Sequence, residues 1–331
     1  MITVTSSSDL RRELARLRTE GAARVGFVPT MGALHAGHLA LVRRARELAD
    51  AVVVSVFVNP TQFDDPADLE RYPRDPEGDA ALLAAEGADL LFLPPVEEVY
   101  PPGDATRVRV AGPAEGLEGA HRPGHFDGVA TVVARLLHLV GPDLAVFGEK
   151  DAQQLAVVRR MVADLHVPVE IVGHPTVREA DGLAMSSRNA LLAPEDRAAA
   201  TALHRALEAG RAAIAAGERD AGAVRRAMTD VLAAAPRVEP EYAEVVGAAS
   251  FRPLDTIPEA GRVVLPLAAR VGPVRLIDNL QLDLPLTARR SHTPQTQAES
   301  PARQQRGETP GRTAGRAAFT ASAGTDRRAR A

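Results

Sequence analysis

Short apolar runs alternate with amphipathic stretches over the first half of the chain. Residues 9–20 place Leu10, Leu14 and Leu17 at helical spacing behind a Ser/Asp cap region, which predicts an opening helix. Apolar runs at 24–28, 51–58, 88–93, 143–147 and 168–172 have the length and residue types of strands. The run at 51–58 is nearly unbroken, as expected for a strand covered on both faces of a parallel sheet. Helical patterns follow His38 and recur at 76–86, 127–140 and 152–165. This rhythm predicts an α/β fold with a Rossmann-like, doubly wound parallel sheet. Ligands of such sheets gather beyond the carboxyl ends of the strands.

The pattern changes near residue 189. Residues 195–234 read as Ala-rich helices, and 241–246, 262–271 and 274–282 read as strands. The expected organisation is therefore a nucleotide- and substrate-binding domain over 1–189 and a smaller α+β C-terminal domain over 190–286. From 287 to 331 Ser, Thr, Pro, Gln, Gly and Arg dominate, which predicts a disordered tail.

The polar breaks carry the chemistry. A Pro-Thr-Met-Gly turn follows the second strand and leads into His35-Ala36-Gly37-His38, where a helix starts. A strand feeding a helix through such a turn aims backbone N–H groups and the positive end of the helix dipole at one point, which suits a phosphate. The loop at 59–65 and the turn at 148–151 are expected at the same sheet edge. A further loop, 180–189, lacks apolar periodicity and contains Met185-Ser186-Ser187-Arg188.

Composition narrows the classes. The chain has 331 residues, 45% hydrophobic and 25% charged, an ordinary balance for a water-exposed globular fold. No apolar run approaches the ~20 residues of a membrane span, and the first residues lack a secretory pattern, so a cytoplasmic location is expected. With no cysteine, disulfides and thiolate metal sites are excluded. Nine Arg against three acids after residue 286 leave the remainder acidic, which argues against nucleic acid as the main partner. Among the 39 basic residues only Lys150 is a lysine. A lone ammonium in an Arg-rich chain marks a place where a guanidinium fork does not serve.

Together, His35, His38, Lys150, Ser186, Ser187 and Arg188 would neutralise a triphosphate and the charge that grows as a nucleotidyl bond breaks. Asp151 suits a ribose hydroxyl, and the amides of Gln62 and Gln154 suit a small hydroxylated acid. There is no Walker A, GxGxxG or GxSxG pattern and no zinc-helix spacing, so a divalent ion is expected only as Mg²⁺ arriving with a nucleotide. The residues alone leave open an adenylating ligase, another nucleotidyltransferase, or a non-catalytic nucleotide sensor.

The ordered series Pro29 to His38, Val58-Asn-Pro-Thr-Gln62-Phe, Tyr72-Pro-Arg, Arg122-Pro-Gly-His-Phe126, Phe147-Gly-Glu-Lys150-Asp151, Gln154 and Met185-Ser-Ser-Arg188-Asn189 resembles the pantoate–β-alanine ligase (pantothenate synthetase) family over roughly residues 1–285. The HxGH element is similar to that of the wider nucleotidyltransferase group. The resemblance implies ATP-dependent condensation of (R)-pantoate with β-alanine through a pantoyl-adenylate, giving pantothenate for coenzyme A synthesis, AMP and diphosphate. It implies that Met31, Gly32, His35, Gly37 and His38 surround ATP, with His38 donating a proton or stabilising phosphate. It places Gly148, Lys150, Asp151, Met185, Ser186, Ser187 and Arg188 on ribose and phosphates, and Val177 by the adenine. Gln62 and Gln154 are implied to bind pantoate, with Gln62 also near β-alanine, and Asn59, Tyr72 and Arg122 to line or gate the site. Asp79 is implied to neighbour Mg²⁺. A homodimer is the assembly the family suggests.

Overall fold

The computed structural model describes residues 1–63 and 66–285. The tail expected over 287–331 and the end of the 59–65 loop lie outside the described residues. Strands β1 (Ile2–Val4), β2 (Val25–Thr30), β3 (Ala51–Val56), β4 (Leu90–Phe92), β5 (Leu144–Gly148) and β6 (Glu170–His174) form one parallel sheet in the order β1-β4-β3-β2-β5-β6. Crossover helices include α1 (Ser7–Thr19), α2 (Ala36–Leu48), α3 (Pro66–Arg71), α4 (Pro76–Ala85), α5 (Val96–Val99), α6 (Leu117–His121), α7 (His125–Val140) and α8 (Ala152–Asp164).

Strand alternation sends successive side chains to opposite faces. Phe27 and Val53 join Leu10 of α1, Leu137 of α7 and Leu155 of α8 in one apolar layer. Val28, Val52 and Val54 join Val42 of α2 and Leu83 of α4 in the other. Both faces are covered, which is why these strands read as continuous apolar runs. β3, β2 and β5 are neighbours at the centre, so the segments after Val56, Thr30 and Gly148 leave the sheet side by side.

After α9 (Pro194–Ala199), α10 (Thr201–Ala215) and α11 (Ala221–Ala233), the strands β7 (Val238–Ala243), β8 (Val246–Gly247), β9 (Gly261–Val271) and β10 (Val274–Leu284) make an antiparallel sheet. Leu203 and Leu207 of α10 and Met228 of α11 pack on Leu265, Leu267 and Leu276 of that sheet. A buried polar node ties it to the parallel layer. The Glu118 carboxylate on α6 accepts from Arg275 at 2.6 and 2.8 Å and from the Tyr242 hydroxyl at 2.8 Å.

Several boundaries differ from expectation by a few residues, among them the strands expected at 88–93 and 241–246, found at Leu90–Phe92 and Val238–Ala243; three of the differences have a local cause. β2 continues through Pro29 and Thr30 because it keeps pairing with Ser55 and Val56. The run 51–58 stops being strand at Val56: Asn59 caps a short 3₁₀ turn at Pro60–Gln62, its side chain accepting the Thr61 amide. The strand expected at 168–172 lies at Glu170–His174, where the ladder with β5 fixes it.

Candidate active site

The turn after β2 is held from outside its own sequence. Gly32 has φ +80° and Ala33 φ +50°, and the Asp79 carboxylate accepts the amides of Ala33 (3.0 Å) and Leu34 (2.8 Å). A Cβ on Gly32 would lie 2.8 Å from an Asp79 oxygen, so conformation and space both demand glycine. Thr30 donates to the Ser55 carbonyl and accepts the Gly32 amide.

The helix that follows begins on a reciprocal cap made of two histidines. His35 Nδ1 accepts the Gly37 amide at 3.1 Å, and His38 Nδ1 accepts the His35 amide at 3.3 Å. This is the geometry of a capping box with imidazoles in place of hydroxyl and carboxylate. A nitrogen that accepts is unprotonated, so hydrogen bonding assigns each ring's proton to Nε2. The rings lie 4.1 Å apart, and the His35 ring covers Gly37, where a Cβ would sit 2.8 Å from it. The glycine of HxGH is therefore a steric consequence of the cap. Burial, then the neighbouring His35, with Lys150 acting the same way and Asp151 against it, pushes His38 down to about 3. Burial and then Lys150 also lower His35. With both Nδ1 atoms accepting amides and both rings held below the usual imidazole range, the histidines are neutral N–H donors, because burial at a helix start beside an ammonium disfavours a second positive charge.

Lys150 and Asp151 follow β5 on a 3₁₀ turn, Glu149–Asp151. The Lys150 ammonium lies 3.7 Å from an Asp151 oxygen. Desolvation in the cleft opposes the Asp151 charge, but Lys150 and then Arg188 outweigh it and hold the carboxyl below its usual range. In the facing loop the Met185 amide donates to the Val177 carbonyl at 2.9 Å. Ser186 caps the turn Ser187–Leu191 by accepting the Arg188 amide.

On the other side Gln62 is 9% exposed. Its Oε1 accepts from Asn59 at 2.9 Å, and its Nε2 points at the Met31 sulfur, 3.2 Å away. Asn59 is itself fully engaged. It donates also to the Gly128 carbonyl, and its oxygen accepts from the Tyr100 hydroxyl at 2.8 Å. It therefore orients Gln62. Tyr72 meets Phe63 edge-on at 5.6 Å between ring centres.

Nearly all of the expected residues converge. A cleft of about 230 Å³ is lined by Met31, His35, Gly37 and His38, by Asn59, Gln62 and Tyr72, by Gly148, Lys150, Asp151 and Gln154, and by Val177 and 185–188. Three do not line it. Gly32 and Asp79 border a separate, mostly apolar cavity behind the turn, and Arg122 borders a smaller one that shares Lys150, Asp151 and Gln154 with the cleft. Arg122 instead donates to the Gln62 carbonyl at 3.2 Å.

The family model described as "Pantoate-beta-alanine ligase" matches residues 2–281. This chain belongs to the pantoate–β-alanine ligase family. The pantothenate synthetase of Moorella thermoacetica is 53% identical over 275 residues, covering 83% of this chain and 96% of that protein. The crystal structure of pantothenate synthetase from Thermus thermophilus shares 54% identity at a TM-score of 0.78, over 85% of this chain and 99% of that one. The Francisella tularensis pantoate-β-alanine ligase, solved in complex with "Beta-gamma ATP and Beta-alanine", shares 33% identity at a TM-score of 0.68, over 85% and 97%.

Two residues that position this ligase-family site escape a reading of the sequence. His125 donates from Nδ1 to the Gln62 carbonyl, 3.0 Å away, and is 9% exposed. Gly128 lets α7 press on the 59–63 loop, since a Cβ there would lie 2.4 Å from the Thr61 carbonyl oxygen. A histidine in a Pro/Gly loop and a glycine inside a helix give no sign of what they touch across more than 60 residues of chain.

Proposed function

We propose that this member of the pantoate–β-alanine ligase family works by adenylating pantoate in the cleft described above and passing the pantoyl group to β-alanine. One observation carries the reading: His35 and His38 of the cap, Lys150 and the 186–188 loop line the same cleft as Gln62 and Gln154. The pantoate carboxylate attacks the α-phosphorus of ATP, forming an O–P bond as the bond to diphosphate breaks. The β-alanine amine then attacks the activated carbonyl, forming the amide as AMP leaves. A free carboxylate is a poor electrophile, and AMP makes it a good one.

Lys150, the α2 N-terminus and His38 stabilise the negative charge that builds on the transferring group. Ser186, Ser187, Arg188 and Met185 hold the remaining phosphates, Asp151 the ribose, and Gly148 and Val177 the nucleoside end. Gln62 and Gln154 bind pantoate, Tyr72 borders their cleft, and Arg122 steadies Gln62 through its carbonyl. Among the described residues no group of three His, Cys, Asp or Glu side chains is placed to hold a metal ion. The Asp79 oxygens are committed to the turn. The residues do not form a cage for Mg²⁺, so the ion accompanies the ATP phosphates and Asp79 is a structural anchor.

The division near residue 189, a homodimer and a cytoplasmic location complete the reading; the family and the absence of any described helix long and apolar enough to cross a membrane support it. We assign no catalytic role beyond the matched residues, so a chain ended after residue 286 is expected to keep full turnover in a steady-state assay. The deciding experiment is exchange of labelled diphosphate into ATP without β-alanine. Exchange should require pantoate, and its absence with well-folded protein overturns the adenylate mechanism.

A further inference from the structure

We propose that Asn279, on the antiparallel sheet, is the positioning residue for Lys150: its carboxamide sets the turn from which the ammonium reaches the cleft and links that turn to the 177–188 loop. Its Nδ2 donates to the carbonyls of Glu149 at 2.9 Å and Lys150 at 2.7 Å. Both hydrogens of one buried amide are thus spent on consecutive carbonyls of the 3₁₀ turn, and Asn279 is only 4% exposed. Two carbonyls held in this way fix the rotation of the peptide between them, and with it the direction of the Lys150 side chain.

Asn279 is itself held. Its own amide donates to Asp278 at 2.7 Å, and its carbonyl accepts from Arg178 at 3.1 Å. Arg178 also grips the Asp278 carboxylate through two bonds, 2.7 and 3.0 Å, and donates to the Gly182 carbonyl at 3.0 Å. Asp278 is 2% exposed, so the pair is a desolvated fork that leaves little angular freedom. Arg178 lies next to Val177, and Gly182 lies just before 185–188. One strand of the second sheet therefore fixes both segments that flank the cleft, at a residue no motif marks.

The inference rests on Lys150 acting in adenylation, and the test separates the two. Asn279→Asp keeps the side-chain shape but replaces the donor with an acceptor facing two carbonyls. Asn279→Ala removes the donor without adding charge, and it carries the test alone if the Asp variant does not fold. Each is measured by pantoate-dependent ATP–diphosphate exchange, alone and in a Lys150→Ala background. A small misplacement of a reacting group costs up to about 10²-fold, so the exchange rate should fall roughly 10- to 100-fold with the KM for pantoate nearly unchanged. In the Lys150→Ala background the same substitution should change the rate less than about 2-fold, since there is no ammonium left to misplace. Equal losses in both backgrounds, or a folded variant with the wild-type rate, overturns the proposal. If Lys150→Ala alone exchanges at the wild-type rate, it is the role of Lys150 that fails.

Discussion

Imidazole is an unusual helix cap, and His35 and His38 use it to fix their own chemistry. Because both Nδ1 atoms accept backbone amides, neither ring can take a proton there without losing a bond to the first turn of α2. The consequence for pH has a definite sign. Below about pH 6.5 the histidines of an unfolded chain take up protons, whereas folded His38 resists until about 3, so protonation favours unfolding and stability is lost as pH falls through that window. His38→Asn keeps an oxygen acceptor for the His35 amide and removes the titrating ring. Urea midpoints measured from about pH 7 to about pH 4 should fall less steeply for this variant than for the wild type. At Lys150 the prediction concerns shape. Lys150→Arg keeps the charge but replaces a point ammonium with a planar fork, and the side chain is largely enclosed at 22% exposure. The adenylation rate should drop about 10²-fold with an unchanged melting temperature, as read by exchange kinetics and calorimetry.

At the scale of elements, the site depends on one close approach. α7 lies against the Pro60–Gln62 turn because Gly128 has no side chain. Gly128→Ala must push the Thr61 carbonyl away and take Gln62 with it. The KM for pantoate should rise about 10-fold or more, while the KM for ATP stays within about twofold, because the atoms a Cβ at 128 would strike first belong to Thr61 and Gln62. Equal changes in both constants would show a general disturbance instead. Strands β2 to β5 and the longer helices were readable because burial on two faces leaves nearly uninterrupted apolar runs, and burial on one leaves helical spacing. β1, α3, α5 and α6 were not, since three to six residues are too few to display a period. The cleft residues were readable as a set because polar sequences after neighbouring strands must share an edge. Their supports, Asn59 as a brace, Gly128 and Asn279, were not, because each acts through contacts between distant parts of the chain. Nor could spacing show that the histidines are neutral; that follows from burial.

For the whole molecule, the two sheets are joined through charge that water does not screen. Glu118 is 8% exposed; burial works against its charge, but Arg275 overrides it and holds the carboxyl below its usual range. A carboxylate with a lowered folded pKa stabilises the fold above its unfolded value and loses that contribution as the pH falls. Arg275→Met removes the counter-charge and strands the carboxylate. It should cost about 3–5 kcal/mol near neutral pH in chemical denaturation, with the gap to wild type narrowing below about pH 4.3 as Glu118 is protonated. A gap independent of pH would mean that lost packing, not the ion pair, holds the sheets together.

The imidazole cap also bears on how the protein can be improved. A serine at 35 with a glutamate at 38 is the better-known reciprocal cap, and it would tighten the start of α2. It would also set a carboxylate against the very oxygens the cleft must accept. Heat resistance and turnover therefore pull these two positions in opposite directions, and a library screened on thermal survival alone should drift towards sturdy, inert chains.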